Sequence, residues 1–200
     1  MPNTLHRLAD THILAGAESV GAGNVRGSIV RGHIDWVRDY RDRDEVIAFF
    51  EAIPRQMRNV LVSSWYPFGD AMEIDRVIMN RFGGGELPFL EDLGAYSARQ
   101  NLRGADRPFH PSGVHDFFRR TTLTHTQSHD FGSAEYLEVG PTAGVMILSR
   151  YSSFSPLYCS SAIGCYRECI RLHGGLEVDV WESRCQCHGD DSCTFEMFWV

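Results

Sequence analysis

The sequence predicts an α+β fold, in which a helical N-terminal half precedes a small, mostly antiparallel sheet with one helix packed across it. Two observations predict this. Apolar side chains recur at helical spacing through the first hundred residues, and beyond about position 133 the pattern becomes alternation interrupted by a single helical stretch. A third, the length of 200 residues, suits one good core or a small helical part joined to an α/β part, and in either case one compact unit. The expected organisation is a flexible arm over 1–24, a helical part over 25–105 and an α+β part over 106–200.

The arm is small, Gly/Ala-rich and weakly periodic. "SIVRGHIDWVRDYR" sets Ile29, His33, Trp36, Val37 and Tyr40 on one helical face. "DRDEVIAFFEAIP" repeats the signal with Val46, Phe49, Phe50 and Ile53, and Pro54 is placed to open a third helix, "PRQMRNVLV". A fourth carries Ile74, Val77, Ile78 and Phe82 and stops at Gly83, Gly84 and Gly85. "LPFLEDLGAYSARQNL" is the fifth. "VHDFFRRTTLTH" is the sixth, with Val114, Phe117, Phe118, Thr121 and His125 on one face. Then follow "SAEYLEVG" and "AGVMILSRY" as strands, "LYCSSAIGCYRECIRLHGG" as a helix, and "LEVDVWES" and "CTFEMFWV" as strands. The order is β-β-α-β-β.

Every basic residue besides histidine is arginine, which excludes Schiff-base and P-loop lysines. The net charge of −7, with arginines interleaved among acids as in "VRDYRDRDE", offers no basic footprint, so direct nucleic-acid binding is not expected. No run nears the roughly 18 apolar residues of a membrane span. The first residues lack an export signal, so a cytoplasmic address is expected. Neither a Ser-His-Asp order nor a nucleotide fingerprint stands out, and no enzyme is expected. "THTQSHD", with His125, His129 and Asp130, is expected to be a solvated loop at a frayed helix end.

All six cysteines lie at or beyond position 159, and in a reducing compartment such clustering favours metal ligation over disulfides. The last hairpin reads Glu182-x2-Cys185-x7-Cys193, with "HGDDS" as its turn, and Cys159 opens the preceding helix on the face expected to meet the sheet. Three thiolates and a carboxylate suit Zn²⁺. Glu182 and Cys185 have opposite parity in a regular strand, so the strand must bulge or end near Ser183 and Arg184. Cys187 and His188 are alternative ligands, whereas Cys165 and Cys169 are expected to be packing residues. Four protein ligands would leave no open position, making such a zinc structural.

The run from Cys159 to Met197 resembles the 4-vinyl reductase domain superfamily, which includes zinc-containing phenol-sensor domains and vesicle-tethering subunits and is related to haem nitric-oxide-binding domains. From Val25 onward the chain is also similar to an uncharacterised myxobacterial family, through "VRGSIVRGHIDWVRDYRD", "SSWYPF", "FGGGE" and the terminal C-x7-C-x-F. The resemblance implies a ligand-binding, sensor-like fold with a structural zinc on Cys159, Glu182, Cys185 and Cys193. It implies a ligand-contacting histidine, for which His110 or His115 stands, and a tryptophan where this chain has "AEYLEV"; phenol is therefore not carried over. The haem relatives would make His125 an iron ligand, but their Tyr-x-Ser-x-Arg signature is absent from "YSSFS", and haem is not expected.

The expected function is a non-catalytic sensor or signalling domain with a pocket for a small hydrophobic or aromatic molecule between the zinc helix and the sheet. Its expected walls are Phe117, Phe118, Tyr166 and Trp181. A homodimer and a partner signalling protein complete the expectation. The alternatives are a dimeric interaction scaffold without ligand, and a haem or tetrapyrrole binding protein.

Overall fold

The computed structural model describes residues 18–103 and 111–200. Its elements are β1 (Asn24–Arg26), α1 (Gly27–Tyr40), α2 (Arg43–Ala52), β2 (Trp65–Pro67), α3 (Phe68–Phe82), α4 (Phe89–Arg103), α5 (Val114–Leu123), β3 (Ser133–Gly140), β4 (Ala143–Ser149), α6 (Pro156–Leu172), β5 (Asp179–Arg184) and β6 (Ser192–Phe198). The α+β order is as expected. The arm falls largely on residues outside the described ones, and of its remainder Ser19 pairs its backbone with Phe154 while Asn24 is bound to Asp130.

Local chemistry sets the helix ends. Asp42 caps α2 by accepting from the Asp44 and Glu45 backbone N–H groups, and Glu45 reaches back to complete a capping box. Ser155 caps α6, and Pro156 takes the first turn, where a missing N–H costs nothing. α3 stops at Gly83, and Gly84 and Gly85 turn the chain with φ of 64° and 84°. The helix expected after Pro54 is instead one 3-10 turn, Arg55–Met57, because only Met57 and Val60 find the core. A two-stranded ribbon of β1 and β2 was not foreseen, since three-residue strands carry no readable alternation.

The four-stranded sheet is antiparallel in the order β3-β4-β6-β5. α6 lies between this sheet and α4. The helices α1 to α4 build one apolar core around Ile34, Phe49, Phe68 and Ile74, and α5, α6 and the sheet build a second around Phe118, Ile170, Phe195 and Met197. α4 and α6 approach closely through two glycines: a Cβ on Gly94 would meet the Ser161 carbonyl oxygen at 1.9 Å, and one on Gly164 the Glu91 carbonyl oxygen at 1.9 Å. Ser160 Oγ donates to the Leu87 carbonyl at 2.6 Å, and Arg167 pairs with Glu91 at 2.6 Å, fixing the contact at both sides.

Candidate functional site

The hairpin of β5 and β6 solves the parity problem with a bulge. Glu182 pairs with Phe195 but Arg184 with Thr194, so the register shifts at Ser183. Cys185 is thereby returned to the inner face that Glu182 and Cys193 share. A 3-10 turn over Gln186–His188 and Gly189, with φ of 95°, close the loop. Asp190 accepts the Cys185 backbone N–H at 2.8 Å, and the Gln186 N–H donates to Cys193 Sγ at 3.4 Å. That last bond favours the thiolate form of its acceptor.

Cys159, in the first turns of α6, completes the group. Its Sγ lies 3.9 Å from Cys185 Sγ and 3.6 Å from Cys193 Sγ, and one ligand atom from each of Cys159, Glu182, Cys185 and Cys193 falls within 4.8 Å of the others. Two sulfurs about 2.3 Å from a tetrahedral zinc stand about 3.8 Å apart, so these spacings fit coordination and are far from a disulfide bond. All three thiols are buried and free.

Electrostatics mark the same place. Hydrogen bonds from the Cys159, Cys187 and Cys193 thiols push the Cys185 pKa far down. The Cys159 thiol is pushed up, first by its bond to Cys185. Burial, and then the Cys185 charge, push the Glu182 carboxyl up to about 8. With Cys159 and Glu182 pushed up, the cluster resists carrying more than one negative charge, a resistance that a divalent cation at its centre would remove. Cys187 is buried with its thiol in reach of Cys159 and Cys185, whereas His188 is exposed.

The expected pocket between α6 and the sheet is filled. Phe118 stacks on Tyr136 at 5.2 Å and meets Tyr166 edge-on at 5.8 Å, and Tyr166 meets Phe195 at 5.3 Å. Phe117 stacks on His173. Trp181 lies on the opposite, outer face of the sheet, stacked on Phe198. His115 bonds Tyr136 and the Pro141 carbonyl at the edge of a surface cleft that also includes His173 and Trp199. His110 lies outside the described residues.

"THTQSHD" is not a solvated loop. α5 ends at Leu123, His125 and His129 are buried and stacked at 4.6 Å, and their Nε2 atoms face the hydroxyls of Tyr151 and Tyr158. Burial drives the pKa of both downward, that of His129 to about 3. A partly open cavity of about 100 Å³ lies on the other side of α6, among α1, α3, α4 and α6, and of the expected wall residues only Tyr166 lines it. Its polar end consists of His33, Asp75, Ser97 and Ser161, which sequence spacing could not associate.

No family model and no curated protein matches the chain. Solved structures do match. A structure from work on haem distortion in the H-NOX family aligns with a TM-score of 0.67 at 14% identity, covering 87% of this chain and 94% of that one. An H-NOX protein from S. oneidensis in an Fe(II)NO ligation state gives 0.66 at 14%, covering 88% and 99%. An oxygen-binding H-NOX domain related to soluble guanylate cyclases gives 0.67 at 14%, covering 87% and 94%. At this identity the likeness concerns architecture: the chain has an α+β, H-NOX-like fold.

Proposed function

We propose that this chain is a non-catalytic sensor domain in which a structural zinc on Cys159, Glu182, Cys185 and Cys193 fastens α6 to the last hairpin. The observation that carries the reading is the convergence of three thiols and a carboxylate from two separated segments at tetrahedral spacing. The zinc would be held by four protein groups and would supply folding energy rather than a reactive water. α6 then stands fixed on the metal side and borders the cavity on the other, which is where a small ligand would be sensed. The H-NOX-like fold supports the sensor reading.

Haem does not fit. His125, the candidate axial residue, faces Tyr151 and the Phe131 carbonyl, is stacked on His129, and lines neither the cavity nor the cleft. The cavity of about 100 Å³ is also well below the roughly 300 Å³ at which cofactor sites begin.

One observation favours a second reading, a homodimeric interaction scaffold. Leu137, Val145, Glu196 and Trp181 form one row across the outer face of the sheet, and Leu137, Trp181 and the neighbouring Phe198 are exposed. Metal analysis with native mass spectrometry tests both. One zinc per chain is expected in wild type and Cys187→Ala, and none in Cys193→Ala. Equal occupancy in wild type and Cys193→Ala would overturn the assignment, and loss in Cys187→Ala alone would move the ligand. A retained organic mass supports the sensor; a bare metallated dimer supports the scaffold.

A further inference from the structure

We propose that the turn over residues 61–65 docks this chain on a membrane surface: its apolar side chains enter the headgroup boundary of an anionic phospholipid bilayer, and Arg26, Arg55 and Arg58 meet the anionic headgroups. The inference is separate from the zinc and sensor readings and needs neither. Its first ground is exposure. Leu61 is 56% exposed, Val62 55% and Trp65 39%, three large apolar side chains within five positions. Exposed apolar residues scattered singly are ordinary, whereas a contiguous set marks an interaction surface.

The second ground is how the backbone of the turn is held. The Gly27 and Ser28 N–H groups, at the start of α1, donate to the Ser64 and Val62 carbonyls at 2.9 and 3.1 Å, and the Ser64 N–H donates to the Leu61 carbonyl at 3.0 Å. Arg31 donates to the Val60 carbonyl at 3.2 Å, and Arg26 to the Ser63 carbonyl. All five carbonyls of residues 60–64 thereby have protein donors, and the Leu61 N–H donates to the Tyr66 hydroxyl at 2.9 Å. A Cβ on Gly27 would meet the Leu61 carbonyl oxygen at 2.1 Å, so the glycine lets the turn sit this close to α1. Carbonyls already satisfied by protein need no water, which removes most of the cost of carrying a loop into the headgroup boundary. The side chains of Leu61 and Val62 are therefore presented by a fixed turn.

Charge and shape select lipid as the occupant. Residues 54–67 include Arg55 and Arg58 and no acid. Among the described residues neither of these arginines, nor Arg26, is in an ion pair with a carboxylate. The acids that reach the edge of the patch are engaged: Asp35 by Arg31 and Arg38, and Asp70 by Gln56. The Arg26 guanidinium lies 4.2 Å from the centre of the Trp65 ring, a cation–π contact that places an indole beside a positive charge. That pairing suits the headgroup level, where tryptophan accumulates and arginine is drawn to anionic lipid. The net charge of −7 opposes docking only weakly, because charges beyond about 8 Å are screened at physiological salt. No residue of the turn lines the cavity or the cleft, so it offers no recess to a folded partner, whereas a bilayer moulds to any shape.

The test is sedimentation of the full chain with vesicles of phosphatidylcholine alone or mixed with phosphatidylserine. Binding is expected to the mixed vesicles at low salt, with little to phosphatidylcholine alone and loss at high salt. Leu61→Ser combined with Val62→Ser should lower partitioning about tenfold, and Arg58→Gln about fivefold. These side chains are exposed, so circular dichroism melts of the variants should match wild type. Mixed vesicles with brominated acyl chains should quench wild-type tryptophan fluorescence and leave Trp65→Phe unquenched. Failure of wild type to sediment with mixed vesicles at low salt would overturn the proposal and leave the turn to a protein partner. Binding unchanged in the Leu61/Val62 double variant, or equal quenching of wild type and Trp65→Phe, would place the contact elsewhere on the chain and overturn it too.

Discussion

Gly164→Ala tests whether the close approach of α4 and α6 is a tight contact on which stability depends. The added Cβ would lie 1.9 Å from the Glu91 carbonyl oxygen and 2.5 Å from its carbon, where real Cβ contacts stay beyond 3.0 Å. Both obstructing atoms are backbone, so no rotamer change relieves the clash, and the helices must part by roughly 1 Å, most of the gap between that overlap and ordinary carbon contact. The Arg167–Glu91 pair and the Ser160–Leu87 hydrogen bond straddle the same point and must stretch with it. Overpacking of this kind costs about 1–3 kcal/mol, and a backbone collision belongs at the upper end. At about 2–4 °C per kcal/mol for a chain of this size, thermal unfolding should shift down by roughly 6–12 °C. The control is Gly69→Ala in α3, whose Cβ would meet nothing closer than Val20 Cβ at 3.5 Å and which should unfold at or above the wild-type temperature. Circular dichroism melts of zinc-loaded protein decide the matter. A drop of less than 2 °C for Gly164→Ala, equal to the control, would refute the tight-contact reasoning.

A strong chelator should lower the melting temperature, because metal affinity belongs to the folded state alone. With free zinc near a thousand times its dissociation constant the loss is about 4 kcal/mol, or roughly 8–16 °C, and an unchanged melt would argue for a plain hairpin. pH should act through His129, held neutral by burial and by its neighbour His125 with a pKa near 3 against 6.5 in the unfolded chain. The unfolded state takes up its proton first as pH falls, so this contribution is complete above about 6.5 and drains away toward 3, with a slope of up to about 1.4 kcal/mol per pH unit. Denaturant titrations of wild type and His129→Gln between pH 4 and 6 should differ by that slope; parallel curves would sink the idea.

The fold class was legible because its two periods differ and neither depends on distant contacts: Ile74, Val77, Ile78 and Phe82 recur as a helix, and "SAEYLEVG" alternates as a strand. The bulge was legible too, since only a register shift brings Glu182 and Cys185 to one face, and the structure shifts at Ser183. Tertiary packing was not. His125 and His129 lie in a polar stretch of sequence, yet Tyr151 and Tyr158, brought from 26 and 29 positions away, cover them. The cavity was invisible for the same reason: Asp75 lies 42 residues beyond His33 and Ser161 lies 128 beyond it, so no local spacing joins them. Trp181 was misplaced because alternation fixes which residues share a face but not which face meets the helix.

Cys159 and Ser161 sit two residues apart on α6, about 200° around its axis, one turned to the hairpin and the other to the cavity. A single rigid rod therefore serves as wall for both, and the two sites cannot titrate independently of its setting. Thermodynamic linkage makes the exchange symmetrical: whatever factor an occupied cavity applies to zinc affinity, bound zinc applies to the occupant. Were both sites filled, a pair of affinity measurements would read the state of one from the other through α6.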